Sequence, residues 1–272
     1  MKKKYIINIF LYLYFLIDNY MNLKYIILFL ILILICIGFY YFKITKENME
    51  TNVDWVNLDS ILENNEIPLH IYQTWHTNTL PQYMQECVNK LKKDNPEFSY
   101  HFYNDFDCRE YIKDNFNKDV LHAFDKLIPG AYKADLWRYC ILYKKGGIYL
   151  DIKYQCETGF KLIQLTDKEY FVKDIPRLGK FGIYNAFMIC KPGNKILLNC
   201  INKIVENVKH KYYGSNPLEI TGPLLMSKYF SPLDINNLQL QHIQEKNNFY
   251  IMNYGIKILK ISFLYIIELY LY

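Results

Sequence analysis

The chain has 272 residues, a formal net charge of +5 and 51% hydrophobic residues, long enough for one well-buried domain with appendages. Its basic residues are dispersed and several flank an apolar N-terminal run, so no basic stripe suited to nucleic acid is present. Cysteines stand at Cys36, Cys87, Cys108, Cys140, Cys156, Cys190 and Cys200, without C-x-x-C pairs or Cys/His clusters of zinc-site spacing. For the last six, disulfides and free buried thiols are both open.

Tyr25 to Phe42 is uncharged and almost wholly apolar between Lys24 and Lys43. At 1.5 Å per residue it covers roughly 27 Å, close to the hydrocarbon thickness of a bilayer. A buried core helix is not normally apolar on every face, so the run predicts a membrane helix. The upstream stretch Tyr5 to Ile17 is shorter and ends at Asp18-Asn19, a weaker second candidate, and Met21 is an alternative start. Lys2, Lys3, Lys4 and Lys24 precede the span, whereas Lys43 and Lys46 are offset by Glu47 and Glu50. That asymmetry points to a cytoplasmic N-terminus and a lumenal (Golgi- or ER-like) or external C-terminal domain, a single-pass type II signal-anchor. No small-x-small cleavage site follows the run. Residues 1–43 thus read as an anchor, the polar residues 44–66 as a stem, and residues 67–254 as a soluble domain.

Ile67 to Trp75 is a β-prone run opened by Pro68. Pro81 to Asp94 follows with Met84, Cys87, Val88 and Leu91 on one helical stripe. Pro96 to Tyr103 predicts a second strand closed by Asn104-Asp105, and Asp107 to Phe116 another helix. Strand, helix, strand, helix at this spacing predicts a parallel α/β sheet. Ala131 to Lys144 reads as a helix with Ala134, Trp137, Cys140 and Ile141 on its core side and Asp135 and Arg138 on one flank. Gly146-Gly147 supplies the positive φ of a tight exit. Ile148-Tyr149-Leu150 is then a buried strand that delivers Asp151 at its carboxyl end, where ligands of open α/β sheets bind. Taken singly, an i, i+3 ion pair, a glycine cap and an aspartate after a strand are all ordinary. Their succession in one short stretch is what points to a site. The last segment, Gly255 to Tyr272, is apolar and β-prone with three charges, and reads as a terminal strand, a membrane-associated hairpin or a truncated or frameshifted end.

The run ADLWRYCILYKKGGIYLDIK resembles the core of the glycosyltransferases that carry a DXD sugar-binding region, including the initiating α-1,6-mannosyltransferase type and, more distantly, the glucosyltransferase domains of clostridial toxins. IPLHIYQTWHT is similar to that family's opening strand and NPEFSYHFYND to its second. Asn185 to Met188 with Lys191 to Asn194 resembles an acceptor-side segment, and Thr221-Gly222-Pro223 a loop near the donor. The resemblance implies an α/β domain of GT-A type, a Rossmann-like mixed sheet flanked by helices, behind the N-terminal membrane helix. It further implies transfer of a hexose from a GDP- or UDP-sugar to a glycan or glycolipid, with retention at the anomeric carbon. Asp135, Arg138 and Asp151 are the catalytic residues it implies. Thr74, Trp75, Asp135, Arg138, Gly147, Tyr149, Asp151 and Lys153 form the implied donor-binding set, with Trp75 stacked on the base.

A departing nucleoside diphosphate develops negative charge, and the family meets it with Mn²⁺ or another divalent cation on oxygen ligands, here Asp151. This chain departs from the pattern, because the motif reads Asp151-Ile152-Lys153 and an ammonium repels a metal ion. Three arrangements are open. Lys153 itself neutralises the diphosphate; Asp151 holds a metal with help from Asp174 or Glu157; or the domain is catalytically impaired and only binds nucleotide or glycan.

Overall fold

The computed structural model describes residues 65–176, 180–246 and 248–262, together with residues 32–35 and 37. The chain divides into two units, Met1–Val56 and Asn57–Tyr272. In the first, Leu32, Ile33, Leu34, Ile35 and Ile37 are helical and exposed. The remainder of the expected span 25–42, the candidate span 5–17 and residues 44–64 of the stem lie outside the described residues. Among the described residues no helix is long and apolar enough to cross a membrane.

In the second unit, β1 (His70–Thr74) buries its three central residues because it has neighbours on both sides. α1 (Gln82–Asp94) packs Met84, Cys87, Val88 and Leu91 inward, the stripe its sequence spacing predicts. It returns the chain to β2 (Ser99–Tyr103), parallel to β1. Asn104 and Asp107 then form a reciprocal capping box that starts α2 (Asp105–Asn115), satisfying backbone donors that a bare helix end leaves unpaired. α3 (Lys118–Lys126) and α4 (Gly130–Lys145) carry the chain back across the sheet to β3 (Gly147–Leu150), which pairs parallel with β1 on the edge opposite β2. β6 (Phe187–Cys190) adds antiparallel to β3, giving a mixed sheet in the order β2-β1-β3-β6.

The strand order reverses between β1 and β3, and that reversal opens a crevice at their carboxyl ends. α4 is unusual in burying every residue from Asp135 to Leu142, the pattern of a helix enclosed on all faces. It packs against β3, α2, α3 and α5 (Lys195–Lys209). Ala134, expected on the core side, is half-buried and lines the crevice instead.

A second sheet has the order β4-β9-β8-β7-β5, from β4 (Gln155–Cys156), β5 (Val172–Lys173), β7 (Leu240–Glu245), β8 (Asn248–Asn253) and β9 (Ile256–Ser262). Reciprocal backbone hydrogen bonds between Tyr170 and Ile189, 2.9 and 3.0 Å, bring the approach to β5 against β6. One hydrophobic core fills the helical side around Trp137, Tyr139 and Phe124; a second, around Tyr154, Phe187 and Leu259, lies between the sheets. Of the readings open for Gly255 to Tyr272, residues 256–262 are a strand paired with β8 and β4, and residues 263–272 lie outside the described ones. Cys87, Cys108, Cys140, Cys156, Cys190 and Cys200 are free and buried.

Candidate functional site

The path into the site depends on two glycines. Gly146 closes α4 at φ +64° and its N–H donates to Leu142 O at 2.8 Å. Gly147 follows at φ +106°, where a Cβ would stand 2.7 Å from the carbonyl oxygen of His70. Only glycine fits both the backbone angle and the approach of β3 to β1. Three residues later the strand ends at Leu150, and the next residue, Asp151, donates its N–H to Ala186 O at 2.9 Å.

The carboxyl ends of the strands are tied together by side chains. The Gln73 amide donates to the carbonyls of Leu150 and Asp151 at 3.2 and 3.3 Å and accepts from Tyr100 OH at 3.0 Å. Thr74 OH donates to Tyr103 O at 2.8 Å. Above these ends lies a cavity of about 400 Å³. Of the residues expected to bind a donor, Thr74, Trp75, Arg138, Tyr149, Asp151 and Lys153 line it, joined by His76 and Asp105, which sequence reasoning did not single out. Asp135 and Gly147 are not in its lining. Gly147 sits at the opposite end of β3 from Asp151, against His70, so its part is to shape the chain rather than to touch a ligand.

Arg138 is the electrostatic centre. Its Nε donates to Ala134 O at 3.1 Å and Nη1 to Asn185 O at 2.9 Å. Nη1 lies 3.5 Å from Asp151 Oδ1 and Nη2 3.6 Å from Asp135 Oδ1, and the guanidinium stands 4.4 Å from the centroid of the Tyr149 ring. Burial alone disfavours its charge, but Tyr149, Asp151 and Asp135 more than compensate and hold its pKa above the usual arginine value.

Asp135 departs from expectation. Rather than presenting a free carboxylate to sugar hydroxyls, it accepts from Asn185 Nδ2 at 2.8 Å and from Thr221 Oγ1 at 2.7 Å. Tyr139 closes the cluster, accepting from Asn185 Nδ2 at 2.6 Å and donating to Thr221 O at 2.9 Å. The segments that pin Asp135 are the same Asn185 and Thr221 stretches the resemblance placed near acceptor and donor. Sequence reasoning marked them but not their meeting point. Burial raises the Asp135 pKa, Arg138, Thr221 and Asn185 offset only part of the rise, and the nearby charge of Asp151 adds to it.

Asp151 is held in the opposite sense. Burial pushes its pKa up, but the Arg138 and Lys153 charges and the hydrogen bond from Tyr149 OH at 2.9 Å outweigh that and leave it below the usual carboxylate range. A depressed carboxyl contributes stability that is present above its unfolded pKa and lost as pH falls through its folded pKa. Tyr149→Phe removes one of the lowering contacts and keeps the ring beneath Arg138. The acid limb of melting temperature against pH is therefore expected to move to higher pH than in the wild type, the comparison cancelling the opposite contribution of Asp135. An unmoved acid limb would show that Tyr149 OH does not hold this carboxylate.

The residues present do not fit a divalent cation. Asp151 Oδ1 already accepts from Tyr149, and its two oxygens stand 3.5 Å from Arg138 Nη1 and from Lys153 Nζ. Asp174, one expected helper, gives its Oδ1 to His242 Nδ1 at 2.9 Å and to the N–H of Ile175 at 2.8 Å. Glu157, the other, does not line the cavity. Among the described residues no group of three or more His, Cys, Asp or Glu side chains is placed to hold a metal ion. An ion at a diphosphate site takes most of its oxygen ligands from phosphate and water, so what disfavours one here is the pair of cations beside Asp151.

Residues 81–172 match the family described as "Glycosyltransferase sugar-binding region containing DXD motif". The chain is 35% identical over 190 residues to a glycosyltransferase of Acanthamoeba polyphaga mimivirus, covering 63% of this chain and 75% of that one. It is 29% identical over 217 residues to the mannosyl phosphorylinositol ceramide synthase of Saccharomyces cerevisiae, covering 76% and 54% respectively. Among solved structures, the PaToxG glycosyltransferase superposes with a TM-score of 0.46 at 16% identity, covering 63% of this chain and 72% of that one. The chain spans about half the length of the fungal relatives it matches.

Proposed function

We propose, on the premise that this chain belongs to the glycosyltransferases whose sugar-binding region contains a DXD motif, that it transfers a hexose from a nucleotide diphosphate sugar to a glycan or glycolipid, with retention, on a domain of GT-A type. The observation that carries this reading is the cavity at the carboxyl ends of β1 and β3, where Trp75, Arg138, Asp151 and Lys153 converge at the point of strand-order reversal. Trp75 offers a flat apolar face to the base beside the Thr74 end of β1. Arg138 offers fixed donors to sugar and phosphate oxygens. Asp151 accepts from sugar or ribose hydroxyls, and Asp135, held by Asn185 and Thr221, positions Arg138. In the reaction the bond from the anomeric carbon to the diphosphate oxygen breaks and its electron pair leaves on the diphosphate. The acceptor hydroxyl oxygen bonds to that carbon, and its proton passes to the departing phosphate. The cations Arg138 and Lys153 around the cleft stabilise the charge that develops there.

The yeast relative's name supports mannose as the sugar and an inositol-phosphate-bearing sphingolipid as the acceptor. A lipid acceptor accords with the single-pass anchor proposed for residues 25–42, which would hold the domain at a bilayer on its lumenal or external side. The Asp151-Ile152-Lys153 sequence favours one further reading, a nucleotide- or glycan-binding membrane protein without turnover.

The test is incubation of the full chain in detergent with radiolabelled GDP-mannose, UDP-glucose and UDP-galactose, with and without a phosphoinositol sphingolipid. Release or transfer of label from one donor is expected, greatest from GDP-mannose. Nucleotide binding with no release from any donor would assign the non-catalytic reading. Absence of both binding and release would sink the donor site altogether.

A further inference from the structure

We propose that Lys153 takes the place of the divalent cation, so that this protein binds its nucleotide diphosphate, and releases it after transfer, without a metal ion. The inference rests on the donor-site reading above and deepens it.

Charge arithmetic comes first. A DXD motif presents two carboxylates, and on the resemblance of Asp151-Ile152-Lys153 to that motif a lysine stands at the second. Exchanging aspartate for lysine turns a negative group into a positive one, a change of two charge units, which is the charge one divalent cation would add. The pairs Arg138 with Asp135 and Lys153 with Asp151 balance each other with no ion added, leaving Asp105 as the one further carboxylate in the cavity lining.

Geometry agrees. Lys153 Nζ lies 3.5 Å from Asp151 Oδ2 with only 22% of its side chain exposed, and it lines the same cavity as Trp75 and Arg138. Its backbone is fixed by what flanks it: Ile152 and Tyr154 are buried, Gln73 holds the Asp151 carbonyl, and Gln155 enters the second sheet. A tight turn at Ile152-Lys153, closed by the Tyr154 N–H donating to Asp151 O at 3.1 Å, leaves Lys153 half-buried at the cavity wall between two core residues. Asp151 then serves as the counter-ion that aims the ammonium. A dication brought to Asp151 would meet both Arg138 and Lys153 and be repelled by each. An ammonium is a compact point charge able to hold phosphate oxygens without fixed coordination geometry. In the transfer step the electron pair leaving on the diphosphate is met by Lys153 and Arg138, and no further reactant is needed.

Calorimetric titration of the full chain in detergent with GDP and with UDP, in EDTA and in Mn²⁺, tests this directly. The preferred nucleotide is expected to bind with affinities that agree within about threefold in the two conditions. Lys153→Met is expected to weaken binding by about tenfold or more in both, with a single cooperative melting transition as the folding control. Lys153→Asp, which restores two carboxylates, is expected to bind nucleotide only with Mn²⁺ and to broaden the Mn²⁺ paramagnetic resonance signal. Wild-type binding that vanishes in EDTA overturns the proposal and leaves the donor site standing. Lys153→Met with wild-type affinity also overturns it. Binding of neither nucleotide in either condition overturns the donor site and this inference together.

Discussion

Exchanging Arg138 for methionine should cost the domain about 3–5 kcal/mol of stability and reduce sugar transfer by about a hundredfold or more. The guanidinium is 7% exposed and is the charge shared by Asp135 and Asp151. Without it, one buried carboxylate keeps only neutral partners and the other keeps Tyr149 OH and a single cation, Lys153. Small domains hold about 5–15 kcal/mol in all, so the variant loses a large fraction of its margin. Its pH response should separate this cause from simple loss of packing. With Arg138 gone, the Asp135 pKa rises further and Asp151 loses the larger of its two lowering charges. A carboxyl whose folded pKa is raised destabilises progressively as pH climbs through that pKa, and costs nothing below its unfolded value. The deficit should therefore shrink as the pH is lowered. Arg138→Lys keeps the charge but not the fork that reaches Ala134 and Asn185, and should fall between the two proteins. Melting curves across pH give the answer. A methionine variant with wild-type stability at neutral pH would show that the two carboxylates do not depend on this cation.

Gly147→Ala should be among the most damaging single changes in the chain, with a loss of more than about 4–5 kcal/mol or no soluble protein at all. Its φ of +106° is strained for any L side chain, and the added Cβ would stand 2.7 Å from the backbone oxygen of His70, in a neighbouring strand that cannot give way cheaply. Gly193 makes the control. It has φ +77° but open space around the position of a Cβ, so Gly193→Ala should pay only the backbone term, about 1–2 kcal/mol. Denaturant titrations of the two variants separate collision from strain. Equal losses would mean that the contact between β3 and β1 tolerates a methyl group, and that the close approach is not what requires glycine.

The local parts of this architecture were legible in the sequence, and the parts that depend on distant contacts were not. The stripe Met84, Cys87, Val88, Leu91 announced α1, and the Asn104-Asp105 turn announced the end of β2, because each signal and its consequence lie within a few residues. The passage from α4 through Gly146-Gly147 to Asp151 was readable for the same reason. The second sheet was not, because two-residue strands such as Gln155–Cys156 and Val172–Lys173 carry no period to detect. The setting of Asp135 was hidden by distance along the chain. An aspartate one helical turn from an arginine suggested a pair on an open flank, yet Asn185 and Thr221 arrive from far along the chain to occupy its oxygens. A usable signal was present in β1. Gln73 is a lone amide in an apolar strand and is fully buried, which means it must find partners, and those partners are the backbone at the site.

The antiparallel pairing of Gln155 with Lys260 and of Cys156 with Leu259 has a consequence for how the protein is made. The segment that carries Lys153 leaves the ribosome well before the strand that clamps it. Domains form from the N-terminus as synthesis proceeds, and contacts between distant residues are the slow ones. The helices around α4 and the β1–β3 pair can assemble on the nascent chain, while the wall bearing Lys153 stays open until β9 emerges. Ribosome-bound chains stopped just short of Ile256 should therefore be folded around Trp137 yet unable to retain nucleotide, so that competence for ligand is the last property this domain acquires during its own translation.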